Sequence, residues 1–287
     1  MLRLAVTTDA ETFERMRDPL ASRGVDVRHL RAKERTIRLT ESPTETFDVG
    51  FVYPTRLMEG GALDALHEVP WVNDREAILT SRNKAGVIAS LSRADVPVPQ
   101  TTMVSNPVDD DELLAAAREF DGPVVVKPNS TTRGTGIVRV DDPDSLSGVA
   151  DYLRLVHDYP ATGDKAYLLQ EYLPDARDYR AMVVDGECVG GVERRLPTEA
   201  REEGRWKHNV HRGAKATGVE LGERHRRLAE KVAEVLEIPY LGVDLLETEN
   251  RLVVAETNAR PTIDDDAKYD SGFYDRLASL VKRQVET

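Results

Sequence analysis

Carboxylates set into runs of valine and leucine constrain this chain more than any other feature. Leu241-Gly242-Val243-Asp244-Leu245-Leu246 is followed by Val253-Val254-Ala255-Glu256-Thr257-Asn258. Short apolar runs bounded by polar turn formers fit a pleated surface, so both segments read as strands. Glu256 and Asn258 stand two apart and therefore share one face. In a hairpin with Asp244 directly across from Glu256, all three residues share that face, and this register leaves a three-residue loop at 249–251, where Asn250 tolerates a left-handed backbone. A two-residue turn would invert one strand and send Asp244 to the other side. Acidic groups amid Val and Leu are costly to desolvate without a cation. Two carboxylates and an amide oxygen suit magnesium, or manganese, a hard ion that completes its shell with water and phosphate oxygens. The plain alternative is a surface hairpin with ordinary polar residues.

A second constraint lies upstream. Pro123-Val124-Val125-Val126-Lys127-Pro128 ends an apolar strand in a lysine, and Asn129 to Gly136 form a loop of hydroxyls and glycines before the next strand. Such a loop can close over phosphates, because glycine lets backbone N–H groups approach closely and the lysine adds a point charge. It is no Walker loop, in which the lysine follows the glycines and opens a helix. Taken alone, it could equally be a hairpin loop with a snorkelling lysine. Leu168-Leu169-Gln170-Glu171-Tyr172-Leu173 ends another apolar strand, whose backbone could meet the edge of an adenine.

The rest of the chain alternates helix and strand signals without repeats or long linkers. Residues 1–75 read as an open α/β unit with strands at 2–7, 25–30, 47–53 and 69–73 and a helix at 10–22. It lacks a Gly-x-Gly-x-x-Gly turn, so no dinucleotide is assigned to it. Residues 76–173 read as a central unit with a helix at 81–94 and the glycine loop. Residues 174–287 carry strands at 179–184 and 188–195, a polar insertion at 197–217, the carboxylate hairpin and a last helix near 273–284. A chain of 287 residues exceeds one average core, so a cleft between such units is expected.

Charge narrows the function. With 51 acidic against 39 basic residues the net charge is -12, which argues against a nucleic-acid surface. Nine of the 39 cations are lysines. An acidic, lysine-poor surface fits a high-salt cytoplasm, and compositional bias of the genome explains it equally well. No apolar stretch approaches the ~20 residues of a spanning helix, and the first residues do not form a signal peptide, so a soluble cytoplasmic protein with no membrane partner is expected. Cys188 is the single cysteine; it excludes an internal disulfide and reads as an inert strand position.

In order along the chain stand Ser81-Arg82-Asn83-Lys84, Val126-Lys127, Gln170-Glu171-Tyr172, Asp178-Tyr179-Arg180, Glu193-Arg194, Asn209-Val210-His211-Arg212-Gly213, Gly242-Val243-Asp244 and Glu256-Thr257-Asn258. Through this series, from about residue 73 to the last helix, the chain resembles the ATP-grasp superfamily and, within it, the RimK-like glutamate ligases. The resemblance implies an ATP-grasp fold of α/β and α+β class, with an N-terminal open α/β unit and two α+β units clamping ATP. It places Lys84 and Lys127 on the phosphates, Gly134 and Gly136 in a lid, Glu171, Tyr172 and Leu173 at adenine, and Asp178 beside ribose. Lys207, His208 and Asn209 match a stretch that touches the nucleotide. Asp244, Glu256 and Asn258 would hold magnesium, and Arg180 and Arg194 an anionic substrate and the forming acyl phosphate, since an arginine fork pairs with two oxygens at once.

The implied chemistry has two steps. A substrate carboxylate attacks the terminal phosphate of ATP while Lys127 offsets charge, then an amine displaces phosphate from the acyl phosphate. The product would be an amide on a small molecule, cofactor tail or carrier peptide, with glutamate or another amino acid as one partner. Two departures border the substrate pocket: Gly213-Ala214 where the protein-modifying relatives carry paired glycines, and Arg260-Pro261-Thr262 before Asp264-Asp265-Asp266 where they carry Ser-Pro-Gly. Arg260 could bind a substrate carboxylate or pair with those aspartates. Trp206, Lys207 and His208 could cover the acceptor, or form a surface loop with one anchoring aromatic; His211 reads as structural. An ATP-grasp kinase and a non-catalytic nucleotide sensor are the competing classes, and a homo-oligomer is compatible with either.

Overall fold

The computed structural model of the chain describes residues 1–8, 10–131, 134–156, 164–208, 210 and 213–286. The N-terminal unit is a parallel sheet in the order β2-β1-β3, formed by β1 (Leu2–Val6), β2 (Val25–His29) and β3 (Val49–Phe51). Helix α1 (Ala10–Ala21) joins the first two strands, and α2 (Leu57–His67) follows the third. The sequence reading leaves α2 out, because Gly60 and Gly61 dilute its helical signal. Gly60 is needed there: a Cβ would sit 2.6 Å from a ring carbon of Tyr53. The strand expected at 69–73 shrinks to a single bridge between Gly50 and Trp71.

The helix expected at 81–94 is two helices, α3 (Arg75–Arg82) and α4 (Lys84–Arg93). Asn83 makes the break. Its backbone N–H donates to Leu79 O and Thr80 O, ending α3, and its Oδ1 accepts from Gly86 N at 3.1 Å, opening α4. Lys84 thereby becomes the first residue of a helix and turns inward.

The central sheet is antiparallel, in the order β4-β7-β5-β6, from β4 (Thr101–Ser105), β5 (Val124–Pro128), β6 (Val138–Val140) and β7 (Ala166–Glu171). Helices α5 (Asp110–Ala117) and α6 (Pro143–Val156) close its core, in which Leu113, Phe120, Val126, Leu146, Leu153 and Leu169 meet. The larger antiparallel sheet runs β10-β9-β8-β11-β12, from β8 (Arg177–Val184), β9 (Glu187–Arg195), β10 (Lys215–Gly218), β11 (Tyr240–Glu247) and β12 (Leu252–Asn258). Asp185 and Gly186 turn β8 into β9 with φ of 55° and 77°, the left-handed pair that a two-residue hairpin requires. Short α7 (Thr198–Glu202), α8 (Glu223–Leu236) and α9 (Phe273–Glu286) complete the chain.

One large core joins the N-terminal sheet to the C-terminal one: Leu4 and Phe51 belong to it, and so do Val232, Leu245 and Leu277. Ile78, Val87 and Leu91 of α3 and α4 pack into this core rather than into that of the central sheet. Asn73, fully buried, fastens the junction, its Nδ2 donating to Tyr240 O and Ala259 O at 2.6 Å each. The central sheet therefore stands apart as a second body, and the cleft faces it. Cys188 lies buried on β9, and burial pushes its thiol pKa up. No helix among the described residues is long and apolar enough to cross a membrane.

Candidate active site

Asp244 pairs directly with Glu256, and Gly242 pairs with Asn258. The three-residue loop expected beyond them is absent. Glu247 pairs with Leu252, and Thr248 N donates to Arg251 O at 2.8 Å, which leaves a two-residue turn at Glu249 and Asn250. Such a turn would put Asp244 on the wrong face, but the register slips between Asp244 and Leu245, whose partner is Val254. Ala255 is the extra residue. This bulge inverts the strand once more and returns Glu256 and Asn258 to the face of Asp244.

The register extends across three strands. Arg180 of β8 lies opposite Asp244, which lies opposite Glu256. Arg180 grips Asp244 with both arms of its guanidinium, Nε to Oδ1 at 2.6 Å and Nη2 to Oδ2 at 2.9 Å. Arg194 Nη2 reaches the same Oδ2 at 3.1 Å and donates to Asp178 Oδ1 at 2.5 Å. Asp178 Oδ2 faces His208 Nδ1 at 3.7 Å. Asp244 is 7% exposed; burial raises its pKa, and Arg180 and Arg194 outweigh that effect and hold it at about 2. The reciprocal attraction keeps both guanidinium groups charged despite their burial.

Lys84 approaches Glu256 Oε1 at 3.4 Å and donates to Asn129 O at 3.3 Å and to Thr131 O. Lys127, at the end of β5, donates to Gln170 Oε1. Burial lowers the Lys127 pKa, and Glu256 acts against that. Lys84, Lys127, Gln170, Glu256 and Thr257 line one cleft between the two bodies. Gly134 and Gly136 take φ of 66° and 75°, and a Cβ at Gly136 would lie 2.8 Å from Pro128 Cγ, so the loop's path requires glycine there.

Toward the expected adenine side the arrangement differs. The Glu171 carboxylate accepts from Gln100 N at 2.8 Å and from both terminal nitrogens of Arg251 at 2.7 and 2.9 Å, so the side chain bridges β7 to the β11–β12 turn. Tyr172 packs edge-on to Trp206 with centroids 5.6 Å apart, under Arg139 at 5.1 Å from its ring. Lys207 Nζ lies 5.5 Å from the Trp206 ring and donates to Ile137 O, linking the insertion to the end of the glycine loop. Asn209, His211 and Arg212 lie outside the described residues.

Arg260, expected either to bind a substrate carboxylate or to pair with Asp264 to Asp266, donates from Nη1 to Val52 O at 3.2 Å and to Tyr53 O, just beyond β3. Asp264 instead binds Lys268 at 2.6 Å, and Asp265 caps the 3-10 turn Asp266–Lys268. Asn258 Oδ1 accepts from Arg260 N at 2.9 Å. Sequence reasoning missed several supports. Asn129 Oδ1 accepts from Ala85 N at 2.8 Å and its Nδ2 donates to Asn83, while Ser81 Oγ meets Thr257 Oγ1 at 3.2 Å and accepts from Ala259 N. Their partners lie far along the chain, and only the buried amide after Lys127-Pro128 carried a local hint.

A family model described as the RimK-like ATP-grasp domain matches residues 81–272. The chain belongs to the RimK-like ATP-grasp family. Among curated relatives, a probable alpha-L-glutamate ligase of Klebsiella pneumoniae is 30% identical over 218 residues, 75% of this chain and 68% of that protein. A ribosomal protein bS6--L-glutamate ligase of Escherichia fergusonii is 32% identical over 196 residues, 67% of this chain and 60% of that protein. The chain thus spans about two thirds of the length of the curated relatives it matches. A solved RimK domain ATP-grasp protein from Sphaerobacter thermophilus superposes with a TM-score of 0.70 at 21% identity, over 99% of this chain and all of that one. The likeness supports the ATP-grasp fold, with its mixed helices and sheets. By family, the chain falls in the class of ATP-dependent carbon–nitrogen ligases.

Proposed function

We propose that this chain uses ATP to activate a carboxylate as an acyl phosphate and joins it to an amine, with glutamate or another amino acid as one of the two substrates. The observation that carries the reading is the row Arg180, Asp244, Glu256, set across three strands and facing Lys84 and Lys127. It sets a guanidinium fork and two carboxylates beside two lysine ammonium groups, which supports a site for a carboxylate and a triphosphate together.

The donor set fits a divalent magnesium or manganese ion: two carboxylates on directly paired positions and an amide oxygen two residues along the same face. Asp244, Glu256 and Asn258 would hold it, and when bound it would offset charge on the nucleotide phosphates. Lys84 and Lys127 would draw the outer phosphates toward the row. Arg180 and Arg194, paired with Asp244 here, would share their donors with the substrate carboxylate and then with the acyl phosphate. The backbone at Glu171 to Leu173 would meet adenine, since the Glu171 side chain is engaged by Arg251. Asp178 would sit near ribose and Arg260 would reach the far end of the substrate. The acyl phosphate would hydrolyse in water, so the loop at Gly134 and Gly136, with Trp206 and Lys207 tied to its end, would act as the cover. Lys207, His208 and Asn209 would contact the nucleotide from the insertion. The acceptor is a small molecule or a peptide.

The test is release of ADP and phosphate from magnesium-ATP with a panel of amino acids as amines and of small and peptidyl acids. Release of both that depends on one acid and one amine, with the corresponding gain in product mass, is expected. ADP without free phosphate would instead identify a kinase.

A further inference from the structure

Asp244 stands between two partners that both need its oxygens. A ligand of a divalent ion must offer that ion a lone pair, yet the carboxylate is already held by the chain's own cations. Oδ1 accepts from Arg180 Nε at 2.6 Å, and Oδ2 accepts from Arg180 Nη2 at 2.9 Å with Arg194 Nη2 at 3.1 Å. These three contacts fill most of the roughly four lone-pair sites that a carboxylate has. The other acidic ligand is attended in the same way, with Lys84 Nζ 3.4 Å from Glu256 Oε1. We propose that Arg180 competes with the cation for Asp244, and that its fork is offered to the acid substrate only when Asp244 is otherwise held. This rests on the assignment of Asp244 to the metal and of Arg180 to the acid made above.

The two arginines are not equivalent. Arg194 is anchored twice, to Asp244 and to Asp178 Oδ1 at 2.8 Å, so it keeps a carboxylate whatever becomes of Asp244. Arg180 has Asp244 as its bidentate partner, and its side chain is 33% exposed against 11% for Arg194. Room lies beside it as well: a Cβ at Gly242 would touch Arg180 Cδ and Nε at 3.7 Å, and glycine leaves that space open. Arg194 is therefore the fixed member of the pair and Arg180 the arm that can swing. When it does, Asp244 is not orphaned, because Arg194 remains on Oδ2. Nearby charges favour an exchange over a shared site. Lys127 already acts on Asp244 from β5, and like charges crowded onto one buried carboxylate repel strongly. Glu256 acts on Arg180 from β12, so the fork stays within the field of the row after it leaves Asp244. Linkage then requires reciprocity: whatever factor a cation at Asp244 adds to anion binding at Arg180, the anion adds to cation binding.

The probe is manganese(II) alone, without nucleotide, its binding read from loss of the paramagnetic resonance signal of the free ion. Arg180→Lys keeps the charge but replaces the fork by one ammonium on a flexible stem, and Arg180→Gln removes the charge. Affinity for manganese is expected to rise about 5-fold in Arg180→Lys and on the order of 20-fold in Arg180→Gln. In the wild-type chain, where no folding defect can intervene, sulfate added at constant ionic strength is expected to tighten manganese by about 3-fold or more, and to lose that effect in Arg180→Gln. A rise in Arg180→Gln with none in Arg180→Lys would reduce Arg180 to a repelling charge and overturn the proposal. Weaker binding in both variants would make Arg180 a support of Asp244 and overturn it too, as would a sulfate effect that survives in Arg180→Gln or manganese binding in none of these chains. Asp244→Asn separates the two assignments: manganese bound by it as well as by wild type would remove Asp244 from the metal site, and the competition with it. The readout needs no turnover, so the ligase reading falls only on the product assay.

Discussion

The hairpins β11–β12 and β5–β6 face each other across the cleft and begin from similar material, an apolar strand that ends in charge. They are closed in opposite ways. The first has a two-residue turn, a bulge at Ala255 and charged side chains held in a fixed cross-strand row. The second leaves its ladder at Val126 and Val138 and runs through a long loop whose glycines take left-handed angles. Charges that must hold a cation need a register accurate to one residue, because a single slip inverts the face. Phosphates held by backbone N–H groups need instead a path that only glycine follows, and that can open. Under the proposed function, the difference gives chemistry to one hairpin and access to the other.

The sharpest way to break this contrast is Asp244→Asn. Turnover should fall on the order of 100-fold or more through loss of a charged ligand, read as initial rates of ADP release. The same change should flatten the acid limb of stability. The Asp244 pKa is depressed from its ordinary 3.8 to about 2, so its contribution of about 2 kcal/mol is complete above pH 4 or so and is lost as pH falls through 2. Acid unfolding followed by circular dichroism should show a shallower limb in the variant than in wild type, since Glu171, Glu193 and Asp264, also held below their ordinary values, still contribute. Gly136→Ala addresses the other hairpin. A left-handed alanine costs roughly 1–2 kcal/mol and its Cβ meets Pro128, so KM for ATP should rise about 10-fold with the melting temperature nearly unchanged. An equal loss of melting temperature would mean that the loop belongs to the core rather than to access.

Arg251→Ala should act least. Arg251 is 46% exposed, and half-exposed pairs contribute at most about 1 kcal/mol, so KM for ATP should rise less than about 5-fold. A fall in KM would instead place the Glu171 carboxylate itself at adenine, freed of its competitor.

Much of the first hairpin was legible because period and register are local: Asp244 opposite Glu256 follows from strand alternation. Its closure was not, since a bulge and a shorter turn give the same pairing as a longer loop, and only packing chooses between them. The break at Asn83 was hidden for a similar reason. Asparagine is a poor but tolerated helix residue, and what makes it a boundary is Asn129, 46 positions away, which donates to its side chain. The pairing of Arg180 with Asp244 and the settling of Arg260 on the N-terminal strands likewise depend on contacts between distant segments. Helix α2 was obscured by glycines whose purpose is a contact with Tyr53.

The most direct test of the central claim follows oxygen. With an acid substrate labelled with oxygen-18 in its carboxylate, an acyl phosphate pathway must transfer one labelled oxygen to each phosphate released, as read by mass spectrometry. One label per phosphate is the predicted result. Unlabelled phosphate, formed alongside amide product, would contradict activation of the carboxylate by ATP.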